Sequence, residues 1–278
     1  MKLKLMLLIG ILTLLTFDSI PLKAQSEQCS AMNNTTFQVG EALKYKVYYN
    51  WTALWVKAGE VSFDVQEGNL DGQSVYHMIG KGRTARSYDW AYKVRDHYES
   101  FIDPNSLKPL AFTRDIHEGG YKQRNKYRFF HNDSKAIVDY RYVQGKLKAE
   151  DKPIDITGCT QDILSAIYHF RSVNHQQLSV GETIPVDLVV DNRIYNVKIE
   201  FLGRDTVKTK LGTFRCVKFS PTLINGSYFK EGGEMVIWAT DDENRLPIYM
   251  ESPLVVGKVK AYLKSYENLR HDLTAKID

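Results

Sequence analysis

The stretch YKQRNKYRFFH at residues 121–131 decides the fold, because its residue types alternate with a period of two. In a β-strand this alternation places Lys122, Arg124, Lys126 and Arg128 on one face and the uncharged side chains on the other. The same period recurs along most of the chain. The other predicted strands cover residues 43–49, 61–65, 75–80, 94–102, 110–116, 135–143, 184–190, 195–201, 206–210, 213–219, 234–240, 247–251 and 258–266.

Short turn sequences separate these predicted strands. Residues 69–72 (NLDG) and 118–120 (EGG) are typical of β-turns. Such short connections favour antiparallel neighbours, because a parallel crossover needs about a dozen residues or more. The sequence therefore predicts a mainly β protein, built as an antiparallel curved sheet or flattened half-barrel.

One segment breaks the two-residue period. The apolar residues between Ile163 and Phe170 follow the three- and four-residue spacing of an amphipathic helix. Thr160 is a suitable N-cap, Asp162 suits the first turn, and Arg171 suits the last turn. We therefore predict one α-helix near residues 160–173, packed on a face of the sheet.

The N-terminus has the pattern of a signal peptide. Lys2 and Lys4 precede an apolar run at residues 5–17, and Ala24 is a small residue suited to cleavage. The run is shorter than the ~20 residues of a transmembrane helix, and no later segment is continuously apolar for that length. We predict an exported protein of the periplasm or cell envelope, with no transmembrane segment after signal removal. A retained membrane anchor is the alternative.

These assignments divide the chain into segments. They are a signal peptide (1–24), an N-terminal extension (25–36), a single large β domain (37–267) and a C-terminal tail (268–278). The helix would join two halves of the domain, residues 37–157 and 176–267. The charged tail is expected to fray, because chain ends are poorly ordered unless something ties them down.

Charge and cysteine content limit the partners and the covalent structure. A formal net charge of +4 is too small to indicate a nucleic-acid partner. Three cysteines allow at most one disulfide in an oxidising compartment. We favour Cys29–Cys159, because both residues lie at the edges of predicted structured segments, whereas Cys216 lies inside an alternating strand. Three free thiols are the alternative.

Several local motifs occur together in a fairly specific order. They are FQVGE at 37–41, AGEV at 58–61, GTF at 212–214, Trp238 before DDENRLP at 241–247, and Gly257 before the last strand. Over roughly residues 37–266 this combination resembles the exported bacterial family called domain of unknown function 3108. The Trp…Asp-Asp…Leu-Pro segment is also similar, at the level of fold, to periplasmic lipoprotein carriers, which curve a sheet around an apolar cavity. Neither resemblance implies catalytic residues.

Aromatic residues cluster at two places that could contact a ligand. Trp51 and Trp55 lie close to Tyr48 and Tyr49 at a predicted hairpin tip, where they could line the mouth of a lipid-binding cavity or touch a membrane interface. Trp90 lies in the longest irregular stretch, residues 83–93, and could likewise contact a lipid ligand or a membrane interface. The alternative is that these rings fold back onto the core.

The cations of residues 121–131 form a second candidate site, which we call the basic ladder: Lys122, Arg124, Lys126 and Arg128. Four cations on one strand face could meet anionic headgroups, acidic glycans or an acidic partner. The alternative is a solvated outer face whose like charges discourage edge pairing.

No motif indicates a specific chemistry. The seven histidines do not form a recognisable ligand set, and the chain lacks a Walker loop, a Gly-x-Ser-x-Gly elbow and a His-Glu-x-x-His motif. We therefore predict no metal, no cofactor and no catalytic residue. The favoured function is non-enzymatic binding of a lipid or other amphipathic envelope molecule. The alternatives are a periplasmic structural or interaction module and an envelope glycan or lipid hydrolase.

Overall fold

The computed structural model describes residues 33–50, 54–222, 234–254 and 257–278. Fourteen strands in the described residues form one antiparallel sheet. Their bounds are β1 Ala42–Asn50, β2 Trp55–Leu70, β3 Gln73–Thr84, β4 Val94–Ile102, β5 Pro109–Glu118, β6 Tyr121–Phe130, β7 Lys135–Val143, β8 Lys146–Asp155, β9 Thr183–Val190, β10 Arg193–Thr209, β11 Gly212–Pro221, β12 Val236–Thr240, β13 Pro247–Pro253 and β14 Lys258–Glu267.

The strand order is β8-β7-β6-β5-β4-β3-β2-β1-β14-β13-β12-β11-β10-β9, so β8 and β9 are the two edges and the sheet does not close into a barrel. Every neighbouring pair is antiparallel, so the connections β1–β2, β3–β4, β5–β6 and β7–β8 lie at one end of the sheet, which we call the hairpin end. The prediction of a mainly antiparallel curved sheet with one packed helix is confirmed.

The first eight strands have a polar outer face and an apolar inner face. Across neighbouring strands, Leu43 and Phe63 share the inner face, whereas Lys44 and Ser62 share the outer face. The helix α1, Ile163–Ser172, packs on the inner face, where Leu164 and Tyr168 join the main core. That core also contains Phe37, Val65, Met78, Ile102, Leu107, Phe112, Tyr127, Phe129, Ala136, Val138, Ile156 and Val189.

The start of α1 corrects the predicted N-cap. Asp162, not Thr160, is the N-cap: its carboxylate accepts hydrogen bonds from the backbone amides of Leu164 and Ser165, both at 2.8 Å. Thr160 instead accepts a hydrogen bond from the backbone amide of Thr157 at 3.0 Å. The chain is still extended at the next residue, where Gln161 bridges to β9, so the helix cannot begin earlier.

We expect Asp162→Ala to lower the free energy of unfolding by about 2 kcal/mol. The substitution leaves two buried helix amides without an acceptor and also removes the hydrogen bond that Ser100 donates to this carboxylate at 2.6 Å. Urea unfolding measures the change. Asp133→Ala in an exposed turn is the control and should shift stability by less than about 0.5 kcal/mol. Equal effects of the two substitutions would contradict the role of Asp162.

The C-terminal tail does not fray as expected. It runs along β11: the backbone amide of Arg215 donates to the carbonyl of Ala275 at 2.9 Å, and that of Ile277 donates to Thr213 at 2.8 Å. Ala275 is buried. The small side chain of Ala275 packs against the sheet, and the backbone hydrogen bonds to β11 hold the tail in place. The tail is therefore ordered, although its charge indicated disorder.

The β9–β10 turn fills part of the inner face with polar groups. Asp191 and Asn192 both have positive φ values, 48° and 66°, as a two-residue hairpin turn requires. Asp191 forms ion pairs with Arg114 and with Arg141, and accepts a hydrogen bond from the Gln123 amide at 2.6 Å. One edge hairpin is thereby fixed against the inner face of strands β5, β6 and β7.

The cysteines occupy two different environments. Cys159 is disulfide-bonded, and Cys216 is a buried free thiol on β11. Burial, with a smaller effect of Asp205, raises the pKa of Cys216 to about 12. Cys29 lies outside the described residues, so the Cys29–Cys159 pairing stays a prediction.

Candidate functional site

A groove on the outer face of β1 and β14 is the best candidate for a binding site. The β10–β11 turn, residues 208–211, forms its other wall, and the volume is about 490 Å³. Ligand pockets in proteins commonly have roughly 300–1,000 Å³. We call it the lysine–aromatic groove; it is lined by Lys46, Tyr48, Trp55, Lys208, Thr209, Lys210, Leu211, Lys260, Tyr262, Leu263 and Lys264.

Aromatic rings continue from this groove across neighbouring strands. Tyr262 of β14 stacks on Tyr249 of β13 with 4.5 Å between ring centroids, and Tyr249 stacks on Trp238 of β12 at 4.7 Å. Tyr48 meets Tyr262 edge-on at 6.0 Å. The three stacked rings are cross-strand partners in the sheet register, which is why they share one face.

The charges in the groove are mainly positive. Lys260 lies 4.5 Å above the Trp55 ring and 3.4 Å from Glu251, and Lys264 lies 3.5 Å from Glu60. Among the described residues, no carboxylate oxygen lies within 4 Å of the ammonium of Lys46 or Lys210, whereas Lys208 interacts electrostatically with the carboxylate of Asp278. An apolar floor lined by five lysines and no carboxylate is suited to an anionic amphipathic molecule.

Two carboxylates at the groove are held in the ionised form. Hydrogen bonds from Arg83 and Lys57 lower the pKa of Glu60 to about 2. Burial opposes ionisation of Glu251, but the hydrogen bond from Tyr249 and the ammonium of Lys260 outweigh it and lower its pKa. Both carboxylates therefore stay charged at neutral pH and partly neutralise Lys260 and Lys264.

A second, more polar depression adjoins the lysine–aromatic groove and shares Lys264 with it. Its volume is about 610 Å³, and its charged lining residues are Lys44, Lys81, Arg83, Arg95, Lys264, Glu60, Asp96 and Asp115. Cations and carboxylates alternate there, so the depression offers less net charge to an anion than the groove does.

Glu99 lies between two histidines on the outer face. It is 2.6 Å from His97 Nε2 and 3.4 Å from His77 Nε2. His77 also stacks on Phe101, with 4.4 Å between ring centroids. No group of three or more His, Cys, Asp or Glu residues with the arrangement of a metal site occurs among the residues that the structure describes.

The structure separates the predicted site residues. Trp55 lines the lysine–aromatic groove, and Trp51 lies outside the described residues. Trp90 projects from the β3–β4 connection, with 85% of its surface exposed. Their roles as ligand contacts stay predictions.

The basic ladder lies on β6, with four strands between it and β1. Two aspartates neutralise much of it: Arg124 lies 3.4 Å from Asp115, and Lys126 and Arg128 lie 3.4 and 2.6 Å from Asp139. A cation that already has a carboxylate partner binds an incoming anion less strongly. The ladder is therefore a weaker candidate than the groove, and its role stays a prediction.

The lysines of the groove were not predicted as site residues from the sequence. A signal was present in β14, where KVKAYLK at residues 258–264 places cations and Tyr262 at every second position. Lys46 on β1 follows the same rule. The contribution of Lys208 and Lys210 could not be predicted from the nearby sequence. Their turn is far along the chain from β1 and β14, and only the folded structure brings it to the groove.

The chain belongs to the family described as "Protein of unknown function (DUF3108)", which matches residues 44–264. The fold is similar to that of a β-barrel-like protein of the DUF1849 family from Brucella abortus, with a TM-score of 0.53 and 11% identity over 84% of this chain and 99% of that one.

A protein described as exported, with a YmcC-like fold, from Bacteroides fragilis matches with a TM-score of 0.35 and 10% identity over 86% of this chain and 100% of that one. No curated protein matches the sequence significantly. In the described residues, no helix combines the length and the apolar character that crossing a bilayer requires.

Proposed function

We propose that this protein is exported to the cell envelope and binds an anionic amphipathic molecule in the lysine–aromatic groove. The N-terminal pattern of Lys2, Lys4 and an apolar run supports export. The observation that supports the binding proposal is a groove that combines aromatic rings with five lysines and has no carboxylate in its lining.

The geometry favours a ligand site on the open outer face of the sheet rather than a cavity enclosed by its inner face. The inner face is occupied by α1, by the main core and by the polar contacts of Asp191. A ligand would therefore lie along the outer face, with its apolar part on Trp55, Tyr48 and Tyr262 and its anionic group near the β10–β11 turn. An interaction module or an envelope hydrolase would not by itself account for an apolar groove lined by lysines.

The test uses lauroyl lysophosphatidylglycerol below its micellar concentration, with the zwitterionic lysophosphatidylcholine as the matched neutral probe. Isothermal titration calorimetry should show tighter binding of the anionic probe. The combined substitution Lys208→Glu and Lys210→Glu should weaken that binding by at least about tenfold, since two attractive charges become repulsive. Raising the salt concentration should reduce the difference in affinity between the anionic and the zwitterionic probe, because salt screens the attraction between the lysines and the anionic headgroup.

A matched double substitution controls for the change in net charge. Lys148→Glu with Lys152→Glu alters the same number of charges on the exposed edge strand β8, away from the groove, and should leave binding unchanged. Trp55→Ala should weaken binding of both probes, because it removes apolar contact rather than charge. Equal effects of the two double substitutions, or no binding of either probe, would refute the proposal.

A further inference from the structure

Three exposed aromatic side chains lie on the β3–β4 connection at the hairpin end. Tyr88, Trp90 and Tyr92 are exposed there, and Leu54 at the adjacent β1–β2 connection is 76% exposed. We call these four residues the aromatic rim. The two connections are neighbours, because the backbone amide of Ala85 donates to the carbonyl of Ala58 at 2.9 Å.

The β3–β4 connection is held in shape by its own hydrogen bonds. The carboxylate of Asp89 accepts from the Thr84 hydroxyl at 2.7 Å and from two guanidinium nitrogens of Arg95 at 3.1 and 2.6 Å. A short 3₁₀ helix, Arg86–Tyr88, precedes it. Trp90 therefore projects from an ordered turn, and the half-exposed Tyr92 ring lies against Gly119.

The charge around the rim is positive. Residues 83–95 contain Arg83, Arg86, Lys93 and Arg95 but only one acidic residue, Asp89. Arg83 lies 3.1 Å from Glu60 and Arg95 lies 2.6 Å from Asp89, so the excess positive charge comes from Arg86 and Lys93. Arg86 and Lys93 are exposed beside the aromatic rings.

Exposed tryptophan and tyrosine residues flanked by cations are typical of protein segments that lie in the interfacial layer of a membrane. Trp and Tyr rings sit at the level of lipid headgroups, and each Lys or Arg near an anionic surface contributes about 1 kcal/mol. A protein partner would also bury aromatic rings, but the excess positive charge of Arg86 and Lys93 favours an anionic surface.

We propose that the aromatic rim docks this protein on the surface of an anionic lipid bilayer. Trp90, Tyr88, Tyr92 and Leu54 enter the headgroup layer, and Arg86 and Lys93 contact the lipid phosphates. The β1–β2 connection also leads to Trp55 and Tyr48, so docking brings the open side of the sheet that carries the groove close to the membrane. The docking surface does not require that the groove bind a lipid.

Vesicle co-sedimentation of the full mature chain tests this proposal. Vesicles containing equal amounts of phosphatidylcholine and phosphatidylglycerol should bind the protein, and vesicles of phosphatidylcholine alone should bind it much less. Trp90→Ser should reduce partitioning by at least about tenfold, because it removes the most exposed apolar ring. Val180→Ser, a 72% exposed valine on the connection that enters β9 at the other end of the sheet, is the control and should have no effect.

Two further measurements separate insertion from nonspecific adsorption. Arg86→Glu with Lys93→Glu should abolish the preference for phosphatidylglycerol. Trp90→Phe should keep vesicle binding but lower the quenching of tryptophan fluorescence by brominated lipids. Circular dichroism verifies that each variant is folded. Absence of vesicle binding by the unaltered protein, or equal losses in Trp90→Ser and Val180→Ser, would overturn the docking proposal.

Discussion

Glu41→Gln is expected to lower the free energy of unfolding by about 3–5 kcal/mol, because it breaks a buried ion pair. Glu41 and Arg171 are both buried and form two parallel hydrogen bonds of 2.6 and 2.9 Å. Arg171 also donates to the carbonyl of Asn244, at 3.3 Å from Nε and 3.0 Å from Nη2. One guanidinium thus joins the end of α1, the start of β1 and the β12–β13 connection.

The loss arises mainly from the charge that remains. With Gln at position 41, Arg171 stays charged in a site closed by the rings of Phe37 and Tyr168, 5.9 and 5.4 Å from its guanidinium carbon. Cation–π contacts of this kind offset only about 2 kcal/mol of such a cost. Urea unfolding followed by circular dichroism measures the expected decrease.

An exposed ion pair and a double substitution provide the controls. Glu267→Gln removes a partner of Lys44 at 3.9 Å, where both side chains are more than half exposed, and should change stability by less than about 1 kcal/mol. Combining Glu41→Gln with Arg171→Met should recover much of the loss, since no buried charge is left unpaired. A loss below about 1 kcal/mol for Glu41→Gln would contradict this account.

Asp191→Ala is expected to lower the free energy of unfolding by about 2–3 kcal/mol. The substitution leaves the buried guanidinium of Arg114 without its carboxylate and removes one of the two acceptors of the Gln123 amide. The side chain of Asp191 is partly exposed, which keeps the effect smaller than that of Glu41. Loosening of the β9–β10 hairpin should also raise amide hydrogen exchange at the edge strand β9.

The pH dependence distinguishes this ion pair from a purely steric effect. Burial works against ionisation of Asp191, but the Arg114 guanidinium and the Gln123 hydrogen bond lower its pKa. A lowered pKa in the folded state contributes stability above the unfolded pKa of about 3.9, and this stability is lost as the pH falls through the folded value. Asp191→Ala should therefore be destabilised less by acid than the unaltered protein is.

Asp115→Ala is the matched control for Asp191→Ala. Asp115 lies 3.4 Å from Arg124, and both side chains are more than half exposed. Its removal should alter stability by less than about 1 kcal/mol, with little change in pH dependence. If both aspartates behaved alike, the contact between the β9–β10 turn and the inner face would not stabilise the fold.

The first eight strands could be predicted because one face of the sheet is buried there and the other is exposed to solvent. In β6, Gln123, Tyr127 and Phe129 are buried whereas Lys122 and Arg124 are exposed, as the alternation indicates. The helix was also predictable from its apolar spacing. Its N-cap was not, because Gln161 pairs with β9, a contact between residues far apart in sequence.

The candidate site was only partly predictable because its walls come from distant parts of the chain. Trp55 was identified from local aromatic density, and it does line the groove. The pairing of β1 with β14 brings Tyr48 beside Lys260. The register of two strands so far apart in the chain cannot be predicted from the sequence pattern of either one. The ordered C-terminal segment escaped prediction for the same reason, since its partner is the backbone of β11.

The burial of Cys216 has a consequence for how the protein should be refolded. In the folded chain its raised pKa leaves almost no thiolate at neutral pH, so it does not take part in thiol exchange. In the unfolded chain this protection is absent, and Cys216 competes with the other cysteines for oxidation. Recovery of native protein should therefore be higher when β11 packs under reducing conditions and oxidant is added only afterwards.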